Sequence, residues 1–303
     1  MAQTLNFHSG KFLERLKIAL IINWLKSEQM KKSAVFMLLV FCLSAINAQK
    51  TLFNIDSLER EIKAIPRVNF KPFKPGEKLE YLVHYGFLDA GIATIEVKDD
   101  NIIVGGKEVY HVVGTGKSKG AFDWFFKVRD KYESFIDSEE IMPYVFNRDV
   151  SEGGYEFQQR YQFFQHRQKV KDKRKDKEYD APTGIQDMIS SYYFARTIDL
   201  EQYNIGDVIV FQAFVDEEIE PLKIRYLGKE EIEVESGTYN CIKFQPLVQK
   251  GRIFDDPEDL TVYITDDKNR IPVLAKANVL VGSIKIELIS YEGLSHPLAK
   301  GDS

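Results

Sequence analysis

From Lys78 onward, apolar residues fall at every second position in one short stretch after another, and turn-forming residues separate the stretches. Period two is the side-chain repeat of a half-buried strand, in which neighbouring residues point to opposite faces. In KLEYLVHY, Leu79, Tyr81, Val83 and Tyr85 share one face against Lys78, Glu80 and His84. In AGIATIEVKD, Ile92, Thr94 and Glu96 alternate with Ala93, Ile95 and Val97, and Gly86 to Gly91 reads as the turn between these two strands. Gly105-Gly106 has the form of a two-residue hairpin loop joining NIIV to KEVYHVVGTG. Residues 142–150, 154–165 and 170–178 read as further strands. After Gly206 the pattern resumes to Tyr291, with Ser236-Gly237 and Asp266 to Asn269 as turns. Roughly a dozen hairpin-connected strands predict one all-β, mostly antiparallel domain over 76–303. Its sheet should be strongly curved or rolled into a partly open β-barrel, because long open sheets curl.

Two stretches carry helical spacing instead. Leu52, Ile55, Leu58, Ile62 and Ile65 recur every three or four residues, which predicts a short N-terminal helix ended by Pro66 within a helix-and-connector segment at 49–75. APTGIQDMISSYYFARTIDL predicts one helix covering the sheet, with Thr183 and Gln186 as a capping box and Ile185, Met188, Ile189, Tyr192 and Tyr193 on its apolar face.

The beginning of the chain reads as an address. Met30-Lys31-Lys32 is basic, Ala34 to Leu43 is apolar, and Ser44 to Ala48 is small-residue-rich. That order predicts a secretory signal at 30–48 with cleavage after Ala48, and makes 1–29 an upstream extension from a misassigned start. Phe41 before Cys42 does not suit a lipoprotein signal, which needs a small residue there. The expectation is a soluble exported protein, in the periplasm rather than the medium, with no transmembrane segment after cleavage. Loss of the first 48 residues removes six Lys/Arg and two Asp/Glu and takes the formal net charge from −5 to −9. Such an acidic chain is a poor partner for nucleic acid. Cys241 then stands alone, so no internal disulfide is expected; its strand context, TYNCIKF, makes it a small buried hydrophobe.

Motifs for catalysis are missing. Gly116-Lys117-Ser118 looks like the end of a phosphate-binding loop, but His111 stands where that loop needs its first Gly. His84, His111, His166 and His296 lack zinc-ligand spacing, although His84 and His111 could meet across neighbouring strands. Neither G-x-S-x-G nor H-E-x-x-H occurs. Asp216-Glu217-Glu218 and the acidic residues at 255–259 sit in turn-like contexts and read as solvated loops, and the charge run from His166 to Asp180 as the rim of a hairpin. The expectation is a protein that is not an enzyme and needs no metal or cofactor.

The densest stretch is Tyr110 to Asp137, where Phe122, Trp124, Phe125 and Phe126 crowd beside Lys117, Lys119, Lys127 and Arg129. Two readings stand side by side. The aromatics plug one end of the barrel, or they line an apolar pocket whose cations meet an anionic head group. On the second reading Lys117, Lys119, Phe122, Trp124, Phe125, Phe126 and Arg129 form a ligand site, and the protein is a binding module for an apolar or lipid-like envelope molecule. The alternative is a structural or assembly partner in the envelope, joined through exposed strand edges and the hairpin at 167–178. Arg129 and Asp130 are neighbours at a strand entry, so one of them should face inward and need an opposite charge. Asp123, Asp149 and Glu152 are candidates for Arg129, and Arg148 or Lys117 for Asp130.

The blocks VYHVVGTGKSKGAFDWFFKVRDKYESFID, NRDVSEGGY, PLKIRYLGKEEI, CIKFQPLVQKGRIF and VYITDDKNRIPV resemble the exported bacterial family of domain of unknown function 3108, from about Gly76 to about Tyr291. The resemblance implies a β-rich exported protein of Bacteroidetes-type envelopes with no established activity. The family has no agreed catalytic residues, so it assigns none here.

Overall fold

The computed structural model describes residues 65–247, 256, 259–279 and 282–301. The extension at 1–29, the signal at 30–48, the helix expected over 52–65 save for Ile65, and Asp255 and Glu258 lie outside the described residues. Fifteen strands make up most of the described residues: β1 (Lys78–Tyr85), β2 (Leu88–Val97), β3 (Ile103–Val104), β4 (Lys107–Ser118), β5 (Arg129–Asp137), β6 (Pro143–Glu152), β7 (Tyr155–Phe164), β8 (Lys169–Asp172), β9 (Lys177–Asp180), β10 (Val208–Val215), β11 (Glu218–Val234), β12 (Gly237–Pro246), β13 (Leu260–Thr265), β14 (Pro272–Asn278) and β15 (Ser283–Glu292). Two helices interrupt them, α1 (Gly120–Phe125) and α2 (Met188–Arg196).

The period-two faces fall as the pattern requires. Leu79, Tyr81, Val83 and Tyr85 are buried on β1, and Ala93, Ile95 and Val97 on β2. The turn between these strands is shorter than its glycines suggest, because β2 already begins at Leu88. Gly91 lies within it: a Cβ there would sit 2.6 Å from the Lys117 carbonyl oxygen. That glycine serves the close approach of β4, not a turn. The stretch 170–178, read as a strand within a charged hairpin, is the hairpin itself, made of β8 and β9. The Asp172 carboxylate accepts the Arg174 and Lys175 amides and bends the chain between β8 and β9.

All pairings of named strands are antiparallel, in the order β10-β11-β12-β13-β14-β15-β1-β2-β4-β5-β6-β7-β8-β9, with β3 on β4. The sheet is a curved, partly open barrel, and its two outer strands are β9 and β10. They meet along a seam made largely of side chains. Tyr179 packs 5.3 Å from Phe214, its hydroxyl bonds Glu217, and Lys175 pairs with Glu217. One parallel bridge joins Gln186, just past β9, to Ala213, through Phe214 N–H to Gln186 O at 2.7 Å and Gln186 N–H to Gln212 O at 3.0 Å.

Helix α2 is buried along most of its length, with Met188, Ile189 and Tyr193 in the core. Its cap is not the expected Thr183–Gln186 box. Asp187 accepts from Ile189 N–H and Ser190 N–H at 2.7 Å each, Ser190 Oγ accepts from Asp187 N–H at 2.8 Å, and Ser134 Oγ donates to the same carboxylate. Thr183 bonds the Gln165 carbonyl instead. At the other end of α2, Arg196 forks onto the buried Glu77 at 2.6 and 2.7 Å. Around α2 the interior is filled with rings: Phe73 lies 4.5 Å from Tyr193, and Tyr161 lies 5.1 Å from Phe214.

Candidate functional site

The aromatic stretch forms the corner between β4 and β5. Gly120, at φ +55°, turns the chain out of β4 and into α1. Ser118 then acts as a hub, with its hydroxyl donating to Asp123 and accepting from Val128 N–H at 2.8 Å. Phe122 goes down into the core and Phe126 packs over Gly153, where a Cβ would lie 2.5 Å from the ring. Phe125 is half-buried against Phe122, with ring centroids 5.0 Å apart. Trp124 points away from the protein and is 91% exposed. The plug and the projecting group are thus different residues of one short helix.

The cations are sorted in a similar way. Arg129 lies outside, forked onto Asp123 at 2.7 and 3.2 Å. That guanidinium is the main reason the Asp123 carboxyl is held down at about 2, with the Ser118 hydroxyl contributing next. Lys119 pairs with Asp89 at 3.3 Å. Lys117, opposite Arg129 across the β4–β5 ladder, and Lys127 are exposed. Phe87 at the tip of the β1–β2 turn is 69% exposed, at the end of the sheet that carries α1, since Tyr85 pairs with Leu88 and Gly91 with Ser118. It was not among the residues expected at the site, though an aromatic directly after Gly86 in a turn was a signal on view.

Beneath α1 lies a cavity of about 10 Å³ lined by Val83, Ala90, Ala93, Ser118, Phe122 and Val128. That is space for about one water. Of the expected site residues, Lys117 and Phe122 reach it; Lys119, Trp124, Phe125, Phe126 and Arg129 do not line it.

Other candidates resolve into ordinary structure. His84 lies between Glu287 and Asp89, and His111 between Asp100 and Glu133 with its ring on Phe135. The two do not meet, because β2 runs between their strands. Burial pushes the Cys241 thiol up to about 12, so a nucleophilic thiolate is disfavoured. Asp216 and Glu217 form the turn between β10 and β11, as expected, but both are engaged: Asp216 takes Arg148 at 3.1 Å and Glu217 ties down β9. Asp130 is the inward member of its pair, with Arg148 among its neighbours as expected, but it accepts the Ser151 N–H at 3.0 Å and lies beside a second carboxyl, Glu152. Among the described residues no helix is long and apolar enough to cross a membrane.

The model of the family described as "Protein of unknown function (DUF3108)" matches residues 80–289. No curated protein matches the chain. Among solved structures, the chain is similar to a β-barrel-like protein of domain of unknown function DUF1849 from Brucella abortus, at 10% identity over 74% of this chain and 99% of that one, with a TM-score of 0.49. It is also similar to a candidate lipoprotein from Parabacteroides distasonis, at 11% identity over 73% and 98% with a TM-score of 0.32. A candidate exported protein with a YmcC-like fold from Bacteroides fragilis is similar at 10% identity over 74% and 98%, with a TM-score of 0.29.

Proposed function

This chain belongs to the DUF3108 family, whose members are proteins of unknown function, and on that footing we propose that it is an exported, non-enzymatic module that binds a lipid-like molecule at its surface, through the corner at α1. The observation that carries this reading is Trp124. An indole left 91% in water on a helix whose other aromatics are packed down is costly unless something covers it. Lysines at 117, 119 and 127 surround that corner, and Phe87 projects from the same end. An aromatic tip flanked by ammonium groups suits the boundary between acyl chains and anionic head groups. The cavity under α1 admits only about one water, so an acyl chain would be met outside it. The ligand class is therefore an anionic lipid presented at a surface, met from outside.

The alternative, an envelope assembly partner joined through strand edges, draws less support from the geometry. The edges that would carry it, β9 and β10, are turned towards each other across the seam.

The test uses vesicles. With Trp24 replaced by Phe, Trp124 is the only tryptophan in the chain. Vesicles containing phosphatidylglycerol should shift its emission to the blue and sediment the protein, and phosphatidylcholine vesicles should do so more weakly. Trp124→Ala should abolish sedimentation without lowering the melting temperature. Unchanged emission and no sedimentation with either vesicle would overturn the proposal.

A further inference from the structure

Behind the α1 corner lies a group of buried polar side chains that the lipid site does not use. Asp130 and Glu152 are 3% and 5% exposed, and they face each other from the adjoining ends of β5 and β6. Asp130 Oδ1 accepts Ser151 N–H at 3.0 Å. Its Oδ2 is buried and meets no hydrogen-bond donor, and the carboxyl beside it is that of Glu152. Two carboxylates cannot bond to each other, because each has only acceptors; a proton between them supplies the missing donor.

The charges around the pair point the same way. Arg148, 4% exposed and stacked between Tyr132 and Phe157 at 5.5 and 5.2 Å, is the neighbouring cation. It is shared, because Asp216 takes its Nη1 at 3.1 Å, and Gln159 donates to the same Asp216 oxygen at 3.1 Å. The groups facing Asp130 are Glu152 and Arg148 from β6 and Tyr132 from its own strand. The buried Asp130 and Glu152 thus share one guanidinium with the exposed Asp216, and for the buried two an uncompensated charge is strongly disfavoured.

We propose that Asp130 and Glu152 hold one proton between them at neutral pH, and that its loss to solvent loosens the corner on which α1 is mounted. The mechanical link is short. Glu152 pairs with Val128, the Gly153 N–H donates to Lys127 O at 2.8 Å, and Phe126 lies on Gly153. Two carboxylates pushing apart act directly on the segment that joins α1 to β5. Burial raises the Asp130 carboxyl above its ordinary value, against the Glu152 and Ser151 hydrogen bonds and Arg148, which accords with a retained proton. The shared proton is independent of what binds at Trp124; only its consequence for lipid binding rests on the function proposed above.

Infrared spectroscopy and hydrogen exchange test it on the whole protein without lipid. A protonated-carboxyl carbonyl band should be present at neutral pH and diminish on alkaline titration. Below the pH at which that band fades, the Gly153 and Val128 amides should exchange about tenfold faster per pH unit than base catalysis alone predicts, as linkage requires for one proton lost on opening, and the excess should level off as the band disappears. Asp130→Asn and Glu152→Gln, each with an amide donor in place of the shared proton, should each lose one carboxyl's worth of that band and the extra exchange. Should either variant fail to fold, the same titration in a Glu220→Gln background decides, because Glu220 would otherwise carry a second protonated carboxyl at neutral pH. A wild-type band that does not titrate together with Gly153 exchange overturns the proposal, as does a band undiminished in both variants. Vesicle binding is read separately, so a failed shared proton and a failed lipid site are distinguishable.

Discussion

Arg196 and Glu77 are 2% and 0% exposed, and among the described residues no other ion pair is so deeply buried on both partners. The guanidinium forks onto the carboxylate at 2.6 and 2.7 Å, and its remaining donors reach Asn269 O at 2.9 Å and Pro72 O at 3.2 Å. The rings of Phe73, Tyr192 and Tyr193 lie 5.1 to 5.4 Å from it. Burial alone would lower the Arg196 pKa, but Glu77, followed by Tyr192, outweighs it and leaves the group raised. Arg196→Ala would strand the Glu77 carboxylate in the core and strip the packing from those rings. Breaking a buried pair from one side costs about 3–5 kcal/mol. For a domain of this size each kcal/mol is worth about 2–4 °C, so the melting temperature should fall by about 10 °C. Because the loss comes from an abandoned charge and not from the attraction itself, Glu77→Met with Arg196→Leu should recover most of it. Urea denaturation of Arg196→Ala, and of the cycle made by the wild type, Arg196→Leu, Glu77→Met and the double variant, followed by circular dichroism, gives the cost and the coupling. A cost below about 1 kcal/mol for Arg196→Ala, or a double variant as unstable as the sum of the singles, would refute the reasoning.

Arg129→Ala should leave stability within error, because that pair lies outside, at 45% and 31% side-chain exposure; thermal melts check this. Gly153→Ala should cost about 1–3 kcal/mol in urea titrations, since Gly153 sits at φ +55° and the added Cβ would meet the Phe126 ring. Burial raises Glu220 to about 8 and Asp187 to about 6, so the folded state keeps protons that the unfolded state has released. Stability should therefore fall as pH rises from their unfolded values towards those pH values, and Glu220→Gln should gain on the order of 1 kcal/mol at alkaline pH and flatten the profile. Cys241 should resist thiol reagents in the native protein and react at the rate of unfolding, which timed labelling in mild denaturant would show.

The strands were legible because period two states which face is buried: Tyr81 and Val83 go in while Glu80 and His84 stay out. The same pattern is silent on neighbours. Nothing in KLEYLVHY says that it pairs with residues two hundred positions later, or that β9 and β10 approach each other without forming a ladder. The cap of α2 was misplaced because two candidate boxes overlap, Thr183 with Gln186 and Asp187 with Ser190, and the Ser134 hydroxyl that meets Asp187 comes from a distant strand. At the α1 corner the composition was plain, but the division of labour was not. Whether Phe122 or Trp124 faces the core depends on how Gly120, at φ +55°, launches the helix. The Asp130–Glu152 contact was out of reach, because a like-charged neighbour is the last partner a charge-pairing rule would choose.

The strand that opens the sheet lies beside the one that finishes it. Lys78 is in register with Glu292, and Gly293 sits so close to Gly76 that a side chain there would overlap the carbonyl. During synthesis, β1 emerges first and can pair at once with β2, but its other edge waits until β15 has arrived. The ladder is completed only after more than two hundred residues have passed, and sheets closed by such remote contacts form slowly. Until then β1 keeps an open row of amides and carbonyls, the surface on which strands of other chains add. The chain is therefore most exposed to mispairing in the interval before β15 arrives, and a chaperone that covers β1 in that interval protects it most.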